Sequence, residues 1–137
     1  MEIGQLTKTY HSNHSLVHSC QYHILWCTKF RRPVLDACHT RRLKELIFEK
    51  QAEYGYEVFE VEAMADHVHL LLGISPQLTA STVVGRIKGY TAHSLRKEFP
   101  ALKSRLPSLW TRSKFISSVG SVTLEVVKQY IENQRGR

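Results

Sequence analysis

Only three residues, Met64, Ala65 and Asp66, separate two runs that both have strand character. Over 56–63, Tyr56, Val58 and Glu60 alternate with Glu57, Phe59 and Val61, and the second run, 67–74, reads HVHLLLGI. Parallel strands need a crossover of roughly a dozen residues or more, so a turn this short, near Ala65 and Asp66, predicts an antiparallel hairpin. A further strand is predicted over about 18–29, rich in β-branched and aromatic residues, running into Lys29, Arg31 and Arg32 and stopped by Pro33. Leu35, Leu43, Leu46, Ile47 and Ala52 recur at helical spacing from Asp36 to Tyr54, with Asp36 placed to cap and Gly55 to stop the helix. A second helix is expected from Thr79 or Ser81 to Glu98, ending before Pro100, with Val83, Val84, Ile87, Tyr90, Ala92 and Leu95 as its apolar stripe. A basic loop over 100–110, a strand over Thr111–Ser118 and a helix from Val122 to Gln134, opened by Gly120 and Ser121, complete the chain.

The order β-α-β-β-α-β-α predicts an α+β fold, a ferredoxin-like or RRM-like antiparallel sheet with helices packed on it. One domain over 1–137 is expected, with 1–15 as a loose polar arm. His11, His14 and His18 in that region read as a solvated tail rather than a metal site.

Apolar residues are 42% of the 137 and charged residues 23%, which excludes disorder and collagen-like repeats. Lys plus Arg number 19 against 12 Asp plus Glu, a net +7. A small basic domain calls for a polyanionic partner, nucleic acid first among them, with a generically soluble surface as the alternative. Cys20, Cys27 and Cys38 contain no C-x-x-C pair, so neither a zinc knot nor a disulfide framework is expected, in keeping with a reducing cytoplasm. No signal-peptide pattern is evident, and apolar runs such as 68–72 are too short to span a membrane.

Two features carry possible chemistry. His67 and His69 alternate with Val68 and Leu70 on a strand, so both imidazoles face the same way, suited either to a divalent metal or to a hydrogen-bonded pair on a polar sheet face. Tyr130 and Gln134 lie four apart in the final helix and project together, although a tyrosine at a helix edge is often only packing. Together they form a set. A metal cation stabilises a phenolate whose ordinary pKa is about 10 and polarises a phosphoryl oxygen. Attack on a phosphodiester then gives a phosphotyrosine linkage that keeps the bond energy for rejoining.

These residues sit in a longer pattern. It comprises YHILWCTKFRRPVL over 22–35, Met64 to Leu72 (MADHVHLLL), Lys88-Gly89-Tyr90, Leu109-Trp110 with Phe115, and Tyr130 to Gln134 (YIENQ). In this order and in a chain this short, the sequence resembles the single-tyrosine HUH transposases of bacterial and archaeal insertion sequences, the TnpA type that mobilises single-stranded DNA. The resemblance implies Tyr130 as nucleophile on a C-terminal helix, and His67, His69 and Gln134 as ligands of Mg²⁺ or Mn²⁺. Asp66 matches an acidic residue often found before the histidines, with no role assigned. It further implies a homodimer, with sites completed within one subunit or across two, that recognises subterminal hairpins and cuts nearby single strands through a 5′-phosphotyrosine intermediate. The chain ends three residues after Gln134, where some relatives carry a longer tail.

Lys29, Arg31, Arg32, Arg86, Lys88, Arg112 and Lys114 are expected to contact phosphates, and Trp110 to stack on a splayed base, with Trp26 in the core. Three alternatives stand beside this reading: a domesticated relative processing chromosomal palindromic repeats, a non-catalytic nucleic-acid-binding module, and a histidine-triad nucleotide hydrolase. The last needs a third histidine where the strand has Leu71.

Overall fold

The computed structural model describes residues 20–119 and 124–134. The arm over 1–15, its histidines, the expected strand residues 18–19 and the opening of the last helix at Gly120 and Ser121 lie outside the described residues. The elements are β1 (Gln21–Cys27), a 3₁₀ turn (Lys29–Arg31), α1 (Ala37–Glu49), α2 (Gln51–Tyr54), β2 (Tyr56–Ala63), β3 (His67–Ile74), α3 (Ala80–Glu98), α4 (Pro100–Arg105), β4 (Phe115–Ser118) and α5 (Leu124–Glu132). The sheet order is β2-β3-β1-β4, and every neighbouring pair is antiparallel. The expected α+β architecture is what is found, and the hairpin joins β2 to β3 with Met64 N–H donating to the His67 carbonyl at 2.8 Å.

Helix starts and stops follow local chemistry. The Asp36 carboxylate accepts from His39 N–H at 3.0 Å, while His39 Nδ1 receives the Asp36 N–H at 3.1 Å, a reciprocal cap. Gly55 ends α2 at φ 79°, where a side chain would also collide with Leu78. Thr79 caps α3 through Thr82 N–H at 3.2 Å. The basic stretch expected as loop begins instead with α4, because Pro100 suits the first helical position.

The core lies between one sheet face and the helices. Ile24 and Trp26 of β1, Val68, Leu70 and Leu72 of β3, Leu43, Leu46 and Ile47 of α1, and Val83, Val84, Ile87 and Leu95 of α3 meet there. One position of the expected stripes moves: Ala52 is exposed, and the polar His39 joins the buried face of α1. On α3, Tyr90 and Ala92 pack partly buried against the core as expected, and Thr91 between them is fully buried, its hydroxyl donating to the Ile87 carbonyl at 2.7 Å and so offsetting the cost of burying it.

The β2 alternation breaks once. A register shift between Val58 and Glu60 places Phe59 in a bulge. Val61 and Ala63 thereby pack on the core, and Glu60 and Glu62 pair with Leu71 and His69. β4 is also shorter than expected. Over 111–113 the carbonyls accept from the Lys88 ammonium at 2.7, 3.3 and 3.1 Å instead of forming a ladder.

Candidate active site

Val68 and Leu70 face the core, so His67 and His69 emerge on the opposite face of the sheet. The register sets Cys27 opposite His67, Leu25 opposite His69 and His23 opposite Leu71. On the other side of β1, Phe115 pairs with Leu25 and Ser117 with His23. His67 Nδ1 lies 2.8 Å from Asp66 Oδ1. His69 Nδ1 lies 3.5 Å from Glu62 Oε1, and its Nε2 lies 3.3 Å from His23 Nδ1, with the two rings stacked 5° from parallel. Burial, and then the neighbouring His69, hold His23 below the usual imidazole range. Without the β2 bulge, Glu62 would change faces and leave His69.

The tyrosine arrives on α5. Tyr130 OH donates to Ser113 Oγ at 3.3 Å, and Ser113 Oγ donates to Gln134 Oε1 at 2.6 Å. The Tyr130 ring rests against Phe115, centroids 5.3 Å apart. The helix was expected to include Gln134. It ends at Glu132, and a tightened last turn, Gln134 N–H to the Ile131 carbonyl at 3.1 Å, brings the buried Gln134 back to the same serine as Tyr130. Ser113 is held by the segment that Lys88 clamps. Lys88 is half-buried, and burial, with the Lys114 charge second, lowers its pKa to about 8.

Arg31 joins the two groups of residues. Its Nε donates to Asp66 Oδ2 at 3.0 Å, and its Nη1 donates to the Ile131 carbonyl, also at 3.0 Å. The guanidinium therefore shares with Gln134 N–H a carbonyl at the C-terminus of the tyrosine helix, where a cation is favoured, and anchors that helix to the acid that holds His67. Burial pushes the Asp66 carboxyl up, but hydrogen bonds from His67 and Arg31 outweigh this, and it stays below the ordinary carboxylate value.

Among the described residues no three His, Cys, Asp or Glu side chains converge as a metal site. The Gln134 amide oxygen keeps a second lone pair after accepting from Ser113 and is a further oxygen donor. His67 has the carboxylate-backed arrangement common in metal-ligating histidines, with Nε2 left for a cation. His69 fits once His23 releases its Nε2. The donor set therefore fits a divalent cation, with two imidazoles and an amide leaving the ion's full charge for a phosphate.

The residues expected to contact DNA divide by environment. Lys29, Arg32, Arg86, Arg112 and Lys114 reach the surface in whole or part. Arg31 and Lys88 have internal partners as well: Arg31 Nε and Nη1 donate to Asp66 and to the Ile131 carbonyl, and the Lys88 ammonium donates to the carbonyls of 111–113. Trp110 is corrected from a stacking platform to core. It is buried edge-on against Trp26, and its indole N–H donates to Thr91 Oγ1 at 3.1 Å. Trp110→Phe is accordingly expected to cost about 2 kcal/mol in denaturant unfolding, through the lost hydrogen bond and volume. Affinity for single-stranded DNA, measured well below the melting temperature, should stay unchanged. His23, Glu62 and Ser113 were not singled out from sequence. Register locates the first two once β1, β2 and β3 are paired, whereas nothing in the sequence marks Ser113.

The sequence profile described as "Transposase IS200 like" matches residues 16–134, which contain every residue of this site. The chain belongs to the IS200-like transposase family. It is 36% identical over 123 residues to the ISDra2 transposase TnpA of Deinococcus radiodurans, covering 88% of each chain. It is 32% identical over 126 residues to the IS200 element transposase of Salmonella typhimurium, covering 88% of this chain and 82% of that one. A crystal structure of a candidate transposase from Deinococcus radiodurans superposes with a TM-score of 0.81 at 34% identity, covering 92% of this chain and 98% of that one. A REP-associated tyrosine transposase solved with a REP hairpin shares the fold, with a TM-score of 0.57 at 12% identity over 83% of this chain and 63% of that one. As an IS200-like transposase the protein is an enzyme of DNA transposition. Among the described residues no helix is long and apolar enough to cross a membrane.

Proposed function

We propose that this transposase cuts and rejoins single-stranded DNA at insertion-sequence ends through a covalent 5′-phosphotyrosine at Tyr130. The observation that carries the reading is the junction of Tyr130 and Gln134 on Ser113, with their helix strapped by Arg31 to Asp66 and so to His67. The Tyr130 phenol gives up its proton as its oxygen forms a bond to phosphorus, the bond from phosphorus to the 3′ oxygen breaks, and the leaving 3′ oxygen takes up a proton. Ser113 receives the phenol's hydrogen bond and orients its oxygen, while Phe115 limits the ring's rotation. His67, His69 and Gln134 would hold Mg²⁺ or Mn²⁺, which would supply positive charge to a phosphoryl oxygen and to the phenolate. Rejoining is the reverse displacement by a second strand's 3′ hydroxyl.

The partner is single-stranded DNA folded into subterminal hairpins. The working unit is a homodimer in the cytoplasm, since a domain of 137 residues has little surface for two DNA ends. A domesticated relative acting on chromosomal palindromic repeats would use the same chemistry, and the DNA flanking the gene separates the two. A non-catalytic binding module leaves the Tyr130–Ser113–Gln134 junction without a purpose. In a histidine-triad hydrolase the third position on the histidine face would need a histidine, and Leu71 is buried there.

The test is incubation with Mn²⁺ and a labelled single-stranded element end. A covalent protein–DNA adduct that survives denaturation and disappears on chelation is expected. Failure to form any adduct with authentic ends would overturn the reading.

A further inference from the structure

The turn that sends Arg31 inward sends its neighbour outward. Phe30 and Arg31 occupy the left-handed region in succession, at φ 59° and 54°. That conformation is strained for any residue with a side chain and more so for a bulky one. Strain of this kind persists where surrounding contacts hold it. Thr28 N–H donates to the Asp66 carbonyl at 3.0 Å, Leu35 N–H to the Ala65 carbonyl at 3.1 Å, and Arg31 is fixed by Asp66. The turn is thus stitched to the loop immediately before His67. The consequence of the twist is that a phenyl ring is 39% exposed beside the candidate active site rather than packed in the core.

Two cations flank that ring. Lys29 Nζ lies 5.1 Å from its centroid and the Arg32 guanidinium carbon 5.6 Å. Neither Lys29 nor Arg32 takes part in an ion pair among the described residues, in contrast to Arg31 between them, which pairs with Asp66 and more distantly with Glu132. An exposed aromatic between two unpaired cations is the combination that single-stranded nucleic acid requires, a π-face for a base and positive charge for the phosphates on either side of it. A cation resting on an exposed ring is held weakly, and a base stacks more strongly, so a base displaces the cation toward a phosphate.

The geometry points to Phe30 as a stacking platform for one unpaired base of the single-stranded DNA, adjoining the bond to be cut, with Lys29 and Arg32 gripping the flanking phosphates. This inference rests on the reading of the enzyme as one that cleaves single strands. The stack is indifferent to base identity, because every base presents a π-face. It holds the strand near the site while the hairpin is bound elsewhere.

Phe30→Gly is the informative variant. Glycine adopts φ near 59° without strain, so the turn and the fold survive while the ring is removed. The probe is fluorescein-labelled oligothymidylate of roughly twelve nucleotides, within the span of one single-strand site, beside an abasic chain of the same length. Phe30→Gly should bind oligothymidylate about tenfold more weakly and the abasic chain no differently, with an unchanged salt dependence. Phe30→Trp should retain affinity and show indole quenching with oligothymidylate alone. Equal affinity of wild type and Phe30→Gly for oligothymidylate, or an equal loss on both probes, would overturn the assignment. So would an altered monomer–dimer equilibrium in Phe30→Gly with oligothymidylate affinity intact, since the ring would then belong to an interface between copies. Adduct formation by wild type on a cleavable end separates the two levels: an adduct with no Phe30 effect removes only the platform, whereas a Phe30 effect with no adduct removes only the cleavage chemistry.

Discussion

Tyr130→Phe is expected to reduce covalent adduct formation and strand cleavage to background while leaving affinity for a single-stranded element end within about twofold of wild type. The substitution removes one oxygen. The ring keeps its contact with Phe115, and Gln134 keeps its hydrogen bond from Ser113, while the phenol's hydrogen bond to Ser113 is lost. That part-buried hydrogen bond is worth roughly 1 kcal/mol, too little to unfold the domain. Loss of the nucleophile has no such limit, because no other residue of α5 carries a hydroxyl. Denaturing electrophoresis of a labelled oligonucleotide reads the adduct, and fluorescence anisotropy reads binding. A Tyr130→Phe protein that still cleaves at wild-type rate would require water or another side chain as nucleophile.

Ser113→Ala probes the same junction from its other end. It preserves the nucleophile, so a reduced rate with a retained adduct distinguishes orientation of the phenol from loss of the attacking atom.

The strands of the hairpin were legible in the sequence to the residue, 56–63 and 67–74, because turn length and apolar pattern agreed. The histidine pair was legible for the same reason, since alternation alone sets His67 and His69 on one face and Val68 and Leu70 on the other. What escaped was everything that depends on a long-range partner. The helical pattern continued through Gln134, but a last turn tightened by one hydrogen bond carries that side chain to Ser113. Charge count suggested seven phosphate contacts, yet a lysine and an arginine become structural when a carboxylate or a cluster of carbonyls lies within reach, and composition does not say which ones do. Trp110 illustrates the converse. It sits among basic residues in sequence, but its indole fits against Trp26 and finds Thr91 as acceptor, and burial with a satisfied N–H outweighs local polarity. The bulge at Phe59, invisible in a run that alternates on paper, decides that Glu62 stands beside His69.

Asp66→Asn should weaken Mn²⁺ binding by about 10–100-fold, the usual cost of losing the carboxylate behind a ligating histidine. In the wild type one oxygen of Asp66 meets His67 Nδ1 and the other meets Arg31 Nε, so the acid fixes a ring orientation on one side and a helix anchor on the other. Asparagine keeps the shape. It loses the charge that makes His67 a better donor, and it leaves the Arg31 guanidinium, only 15% exposed, with just the more distant carboxylate of Glu132 as counter-charge. Breaking a partly buried pair in this way is expected to cost about 2 kcal/mol of stability, below the range for fully buried pairs because Asp66 retains some solvent. Arg31→Lys separates the two functions. A lysine restores the charge beside Asp66, but a single ammonium lacks the planar fork that reaches both the carboxylate and the Ile131 carbonyl. It should therefore leave Mn²⁺ affinity near wild type and slow adduct formation, because the helix bearing Tyr130 loses its strap. Titration of free Mn²⁺ by electron paramagnetic resonance reads the first quantity and single-turnover adduct formation the second. If Asp66→Asn and wild type bind Mn²⁺ alike, Asp66 does not act through His67; if Arg31→Lys forms adduct at the wild-type rate, the strap does not position the nucleophile.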